Sequence, residues 1–322
     1  MLYSLFNKLG EDLGVVGLPV FAAFLYAFLL SFFGLKFFKR VLPKDQGRAF
    51  AVNGALSEGK PRGAGLIFVT TFTLSISLFF PLNLESVFYL VFIYGAMLSG
   101  YFDDAAQTPW GNLKKGLIDL VIALGSSFVY YFYNGSDIKI PMFGVQSLHL
   151  NPVLFVILGA VLVWTAINVT NCTDGVDGLC GSLVFITCFS LMLLIGGINK
   201  LMPLVMMGTL LGYLWFNCSP SQMLMGDAGS RALGVFLAVM FLKSGSPLAF
   251  IPLAFVIIID GGLGLLKLSF RRFLKIKNFM EGIRTPIHDH MRKNKGWSDT
   301  HVVIRFSILQ IVISLCCLYL QR

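Results

Sequence analysis

Asp174 and Asp177 lie three residues apart in the stretch NVTNCTDGVDG, and Asn168 and Asn171 repeat that spacing just before them. Each acid is followed by a glycine, Gly175 or Gly178, and glycine lets backbone approach a ligand closely. Two carboxylates, two carboxamides and open backbone amides suit a phosphate or a hard cation. A polar turn between two helices needs Gly or Asn. It does not need two acids and two amides at this spacing, so a functional loop is the stronger reading.

Four further clusters carry related chemistry. Asp103 and Asp104 are adjacent at the foot of an apolar run. Neighbours on a helix point about 100° apart, so one acid can face a site while the other fixes a partner or metal. Alone, the pair reads as a hydrated helix end. Asp227 sits in MGDAGS, where it could cap a helix or serve as an oxygen ligand. Hard oxygen donors without a Cys/His set point to Mg²⁺ rather than zinc. PIHDHMRKNKGW places His288 and His290 among Arg284, Arg292, Lys293 and Lys295. The basic residues suit anionic headgroups, and the histidines suit phosphate binding or proton handling. Lys60 and Arg62 in LSEGKPRGAGL, and Lys114 and Lys115 beyond the acid pair, fit phosphate contact or membrane anchoring equally. Asp119 and Asp260 lie inside apolar runs, where a carboxylate is costly and lines a groove or pairs with a base. The GGLG after Asp260 offers a place for a helix to break. His149 is given no role.

The elements that must position these groups are apolar. The chain is 56% hydrophobic and 13% charged, which no soluble domain of 322 residues requires. About ten apolar segments are expected, near 15–38, 64–80, 86–102, 117–133, 152–168, 179–198, 201–216, 230–243, 247–270 and 302–320. The first follows an acidic flank and reads as a retained helix rather than a cleaved leader. If every segment spans, one face holds only Lys8, Lys139, Lys200, Lys243 and Arg322 of the 25 Lys and Arg. That asymmetry makes the other face cytoplasmic and puts both termini outside. All the polar clusters above then fall on the cytoplasmic side, as one composite cleft. Residues 134–151 suit a small hairpin on the outer side. The six cysteines include no C-x-x-C pair and read as reduced thiols. The net charge of +9 is absorbed by this topology and implies no nucleic-acid partner. The expected fold class is an all-α polytopic membrane protein, one domain over 1–322.

Acids, Mg²⁺ and basic residues at an inner membrane surface suit the joining of a diphosphate-bearing soluble substrate to a lipid phosphate. The helices offer a groove for the lipid tail.

FDD, NxxNxTDGxDGL, FN…P…MGDxGS and PIHxH…KGW…VxIRF stand in the order found in one family. The chain resembles the polyprenyl-phosphate N-acetylhexosamine-1-phosphate transferases over nearly its whole length. PIH, KGW and VVIRF favour the muramoyl-pentapeptide branch. The resemblance implies ten helices, a cytoplasmic cleft in the bacterial inner membrane and a homodimer. It implies the substrates UDP-N-acetylmuramoyl-pentapeptide and undecaprenyl phosphate, with lipid I and UMP as products. By motif, Asp227 would bind Mg²⁺, and Asp103 and Asp104 would bind or activate the lipid phosphate. Asn168, Asn171, Asp174, Gly175, Val176 and Asp177 would form the nucleotide side. Asn217, Lys115, Lys60, His288 and His290 complete the expected site, with His288 catalytic. Three departures stand out: Asp289 interrupts a usual triple histidine, Leu224 and Met225 replace a usual Phe, and the usual PTMGG reads PRGAG. Two other functions fit the composition less well. A transferase of N-acetylglucosamine 1-phosphate would share the acidic core. An anion transporter would spread polar residues through the segments and onto both faces.

Overall fold

The computed structural model describes residues 2–320 except 3, 6, 9–16, 48–56, 107, 109, 141–144 and 277. The expected first boundary at Val15, and Arg322, lie outside the described residues. Among the described residues ten long helices overlie the ten apolar segments. They are α1 (Leu18–Phe38), α2 (Gly65–Phe79), α3 (Leu84–Asp104), α4 (Asn112–Asn134), α5 (Pro152–Thr173), α6 (Leu179–Leu194), α7 (Leu201–Asn217), α8 (Gly226–Lys243), α10 (Phe255–Phe273) and α12 (Asp299–Leu320). Two short helices join them, α9 (Phe250–Leu253) and α11 (Ile287–Lys295). The hairpin expected after α4 is present as antiparallel β1 (Asp137–Ile140) and β2 (Val145–His149). All six cysteines are free.

Local chemistry sets the helix starts. Asn83 accepts from Ser86 N at 2.8 Å while Ser86 Oγ accepts from Asn83 N at 3.0 Å, a reciprocal cap that opens α3. Asn151 caps α5, with Pro152 at its first position. Helix α8 is apolar almost all round and is buried along nearly its whole length, as such a helix must be. Helices α2, α3, α4, α5 and α6 all pack on it. The peripheral helices turn large apolar side chains outward, among them Phe33 and Phe37 of α1, Phe128 and Phe132 of α4, and Leu309 and Leu315 of α12. Apolar surface of that extent belongs in a bilayer, and the chain is a polytopic membrane protein. Among the described residues five helices, α1, α3, α4, α5 and α12, are long and apolar enough to cross alone, and the bent pair α9–α10 can make a sixth.

The ninth segment departs from expectation. It does not break at GGLG, which runs through α10 uninterrupted. The break lies at Ala254, where α9 and α10 meet at 90°. Gln310 of α12 stabilises it from the side. Its Oε1 accepts from Val256 N at 2.8 Å, and its Nε2 donates to Leu253 O at 3.0 Å. Thr187 Oγ1 donates to the same carbonyl at 3.0 Å. Backbone groups freed by the bend are thus paired inside the protein, as a low-dielectric setting demands.

A second difference concerns α5, which runs five residues past its expected end at 168. Asn168 and Asn171 are therefore helical, not in a loop. Thr173 Oγ1 donating to Val169 O at 2.9 Å, and Asn168 Nδ2 to Trp164 O at 2.8 Å, keep the polar turns within the helical frame.

Gly100 lets α3 meet the start of α8, because a Cβ there would fall 2.3 Å from the carbonyl of Asp227. Gly95, on the same helix, would meet nothing within 4 Å. Overpacking of this kind costs about 1–3 kcal/mol. Gly100→Val is expected to lower the unfolding temperature in detergent by several degrees, while Gly95→Val leaves it nearly unchanged. A thermal-shift comparison of the two checks this.

Candidate active site

The acidic residues converge where α3 ends and α4 and α8 begin. Asp227 lies in the first turn of α8, not before it, since that helix starts four residues earlier than expected. A carboxylate there is favoured by the helix dipole. Asp103 and Asp104 close α3. Lys115, on the first turn of α4, forms ion pairs with both Asp103 and Asp227, the second at 3.4 Å. Asp103 also accepts from Trp110 N at 2.7 Å, and the Lys114 ammonium lies 3.2 Å from the centre of the Trp110 ring. Asp104 accepts from Ala228 N at 3.2 Å, which ties the end of α3 to the start of α8.

Arg62 completes this cluster. Its Nε donates to Asp104 at 2.8 Å, its Nη1 donates to Asp45 at 2.9 Å, and its Nη2 stands 3.7 Å from Asp227. Burial works against the guanidinium charge, but Asp104, Asp45 and Asp227 outweigh it and hold the Arg62 pKa above its ordinary value. The backbone around Arg62 is laced in place. Arg62 N donates to Pro43 O at 2.8 Å, Leu224 N to Pro61 O at 2.8 Å, and Ala64 N to Leu224 O at 3.0 Å. Asp45 is fixed in turn by Ser57 Oγ at 2.6 Å. Sequence reading left Arg62 as an anchor or a phosphate contact and missed Asp45. The signal for Arg62 was the basic replacement in PRGAG. Asp45 had none, being a single acid after α1.

The second acidic loop lies beside the first cluster. Asp177 accepts from Ser221 N at 2.9 Å and lies 4.0 Å from Lys60, whose Nζ donates to Ser221 Oγ at 3.1 Å. Asn217 is buried and structural in its contacts. It accepts from Gly178 N at 2.9 Å and donates to Met223 O at 2.9 Å. The Gly178 amide is thus occupied by protein, contrary to the expectation of open amides after both acids. Asn171 Nδ2 donates to Ser230 Oγ at 3.2 Å, joining α5 to α8. Asp174 is the C-cap position of α5, Gly175 is exposed, and Val176 is buried. Asn168 stays within its own helix.

The histidine segment reaches the same loop. His288 opens α11 with its side chain 3% exposed. Asp260 holds it twice, accepting from His288 N at 2.7 Å and pairing with Nδ1 at 2.8 Å. The ring edge meets Gly175, where a Cβ would fall 2.3 Å from Nε2. A side chain at 175 would displace the imidazole. His290 does not share this arrangement. Its Nδ1 accepts from Arg284 N at 3.3 Å. The buried acids read inside apolar runs both have partners, Asp260 in His288 and Asp119 in Arg231 of α8.

A cluster of carboxylates, lysine and arginine at the ends of apolar helices, with a histidine on the adjoining loop, can bind phosphates. The sequence model of Glycosyl transferase family 4 matches residues 86–245. The phospho-N-acetylmuramoyl-pentapeptide-transferase of Treponema pallidum (strain Nichols) is 37% identical over 324 residues, covering 94% of this chain and 88% of the relative. The chain belongs to the phospho-N-acetylmuramoyl-pentapeptide-transferase family. The member from Kosmotoga olearia is 31% identical, with 80% of this chain and 82% of the relative covered, and that from Campylobacter curvus is 27% identical, with 80% of each covered.

In this family member Asn217 bridges two loops of the site from a buried position. Asn217→Leu would orphan the Gly178 amide and the Met223 carbonyl, at about 1–3 kcal/mol each. The expected result is a clear fall in unfolding temperature in detergent, checked by the same thermal-shift measurement.

Proposed function

We propose that the chain transfers phospho-N-acetylmuramoyl-pentapeptide from its UDP-linked donor to undecaprenyl phosphate, giving lipid I and UMP for peptidoglycan synthesis. The observation that carries this is the convergence of Asp103, Asp104 and Asp227 with Lys115 and Arg62 at one end of an apolar bundle. The ten long helices are read as spanning, with both termini outside and this end facing the cytoplasm. A homodimer in the bacterial inner membrane belongs to the same reading.

The donor set fits Mg²⁺. Asp227 is partly exposed, and its contacts to Lys115 and Arg62 are long, at 3.4 and 3.7 Å. Such a carboxylate suits a Mg²⁺ held by few protein oxygens and completed by water and phosphate. Among the described residues no group of three His, Cys, Asp or Glu is arranged around a metal. Asp227, by its exposure and long contacts, is the residue that would hold the ion. When bound, Mg²⁺ neutralises charge developing on the diphosphate.

The chain's own groups handle the rest. A lipid phosphate has its second pKa near roughly 6, so much of it is already a dianion at about pH 7 and needs no strong base. Lys115, held by Asp103, meets that dianion and offsets its repulsion with the acids, while Asp104 acts from a buried position by fixing Arg62 and the start of α8. A bond forms from an oxygen of the lipid phosphate to the sugar-linked β-phosphorus. The bond from the same phosphorus to the bridging oxygen breaks, and UMP leaves with that oxygen. Lys60, Asn171, Asp174, Gly175, Val176 and Asp177 line the nucleotide side. Asp260 holds His288 with Nε2 turned to that loop.

Purified protein in detergent, given undecaprenyl phosphate, Mg²⁺ and the UDP-linked muramoyl-pentapeptide, is expected to release UMP. Asp227→Ala should reduce the rate at least about 100-fold, and EDTA should abolish it reversibly. Release from UDP-N-acetylglucosamine instead would overturn the choice of substrate. A trapped aspartyl-phosphate would overturn direct displacement. Asp260→Asn should lower kcat by about 10- to 100-fold with a smaller change in KM, because an amide no longer dictates which imidazole nitrogen carries the proton. Steady-state kinetics of UMP release checks this.

A further inference from the structure

Arg62 is placed as no simple anchor would be. Its three guanidinium nitrogens face three different carboxylates, from the segment after α1, the end of α3 and the start of α8. Two are bonded at 2.8 and 2.9 Å, and the third, Nη2, stands beyond hydrogen-bond range of Asp227. The side chain is 18% exposed. Its partners Asp45 and Asp104 are 2% and 0% exposed at the side chain, so both are closed to water, while Asp227, at 17%, is exposed about as far as Arg62 itself. The guanidinium is permanently charged, and a planar fork clamped at two edges cannot swing away. A fixed positive charge therefore lies beside the carboxylate read as the metal ligand. It repels any divalent cation bound there, and in a setting less polar than water that repulsion is strong.

We propose that Arg62 is a resident counter-cation of the acidic centre: it fixes Asp104 and weakens the hold of Asp227 on a divalent cation. The inference rests on the reading of Asp227 as the metal ligand. It makes the metal site of this chain one that binds loosely until substrate phosphates add negative charge. Arg62 then holds the unliganded acids together without a metal, and the ion is taken up tightly only with its substrate.

Mn²⁺ binding to the full chain in detergent, followed by the electron paramagnetic resonance signal of free Mn²⁺, tests this without turnover. Arg62→Met and Arg62→Gln are expected to bind Mn²⁺ about tenfold more tightly than the native chain. Arg62→Lys, which keeps the charge but not the clamped fork, should bind more weakly than either neutral variant and nearer to native. Arg62→Gln still offers an amide to Asp104, so it guards against a fold lost in the Met variant. Neutral variants that bind no more tightly than native overturn the proposal, and so does a Lys variant that shifts as far as Met. Asp227→Ala separates the two readings. If it binds Mn²⁺ as the native chain does, or if neither the native chain nor the neutral Arg62 variants bind any, the metal reading fails and this inference fails with it. If only the Arg62 series is flat, the inference alone fails.

Discussion

Two charge pairs one helical turn apart hold α4 and α8 side by side. Lys115 and Asp119 lie four residues apart on α4, and Asp227 and Arg231 lie four residues apart on α8. Lys115 pairs with Asp227, and Asp119 with Arg231. The signs alternate along each helix, so a slip of one turn would set like charge against like, and one of the two rungs, Asp119 with Arg231, is buried. Breaking a buried pair costs about 3–5 kcal/mol, so such a ladder specifies register even where it adds little net stability. At the far ends of the same helices, Lys243 of α8 donates to Asn134 of α4 at 3.2 Å and to Glu85 of α3 at 2.9 Å. Helices α4 and α8 thus run parallel and are pinned at both ends. The site depends on this, because one rung of the ladder, Lys115 with Asp227, is also part of the acidic centre.

The same economy of polar groups shapes the other side of the pocket. Helix α12 is mostly apolar, yet Gln310 is fully buried within it and closes the backbone at the Ala254 bend. The bend sets the direction of α10, and α10 carries Asp260 to His288. A polar side chain in one spanning helix therefore fixes, through a broken neighbour, an imidazole in the site. Gly175 meets that imidazole from the opposite side, so the ring is held by a carboxylate at one edge and by the absence of a side chain at the other.

Much of this was legible in the sequence, for a physical reason. Apolar runs of near-spanning length have few folds open to them, so ten segments became ten long helices with ends displaced by a few residues. Acids in such a chain are too costly to be incidental, and Asp103, Asp104, Asp177 and Asp227 do gather with Lys60, Arg62 and Lys115, while His288 meets the loop of Asp174 and Asp177 at Gly175. Reading by run length hid two things. Asn168 and Asn171 looked like loop because polar residues end a hydropathy run, although serine, threonine and asparagine bond back to their own helix readily. The bend was expected at the glycines because they lack side chains, but a bend needs partners for its freed backbone. Those partners, Gln310 and Thr187, lie on other helices far away in the chain. Asp45 escaped for the same reason: its importance lies in Arg62, and nothing in its neighbourhood along the chain announces that contact.

The acidic centre carries its charges in an order that bears on its chemistry. Asp104 is closed off between Arg62 and the Ala228 amide, whereas Asp103 and Asp227 share one cation, Lys115. A lysine is a point charge on a flexible stem, so it can follow a phosphate that arrives between the two acids. An arginine clamped by two carboxylates cannot. The centre therefore has a rigid half, which sets the distance between α3 and α8, and an adaptable half, which meets the substrate. Displacement at phosphorus gains most from charges already in place when charge shifts from one oxygen to another. Arg62 supplies the fixed part of that field and Lys115 the part that moves with the ligand.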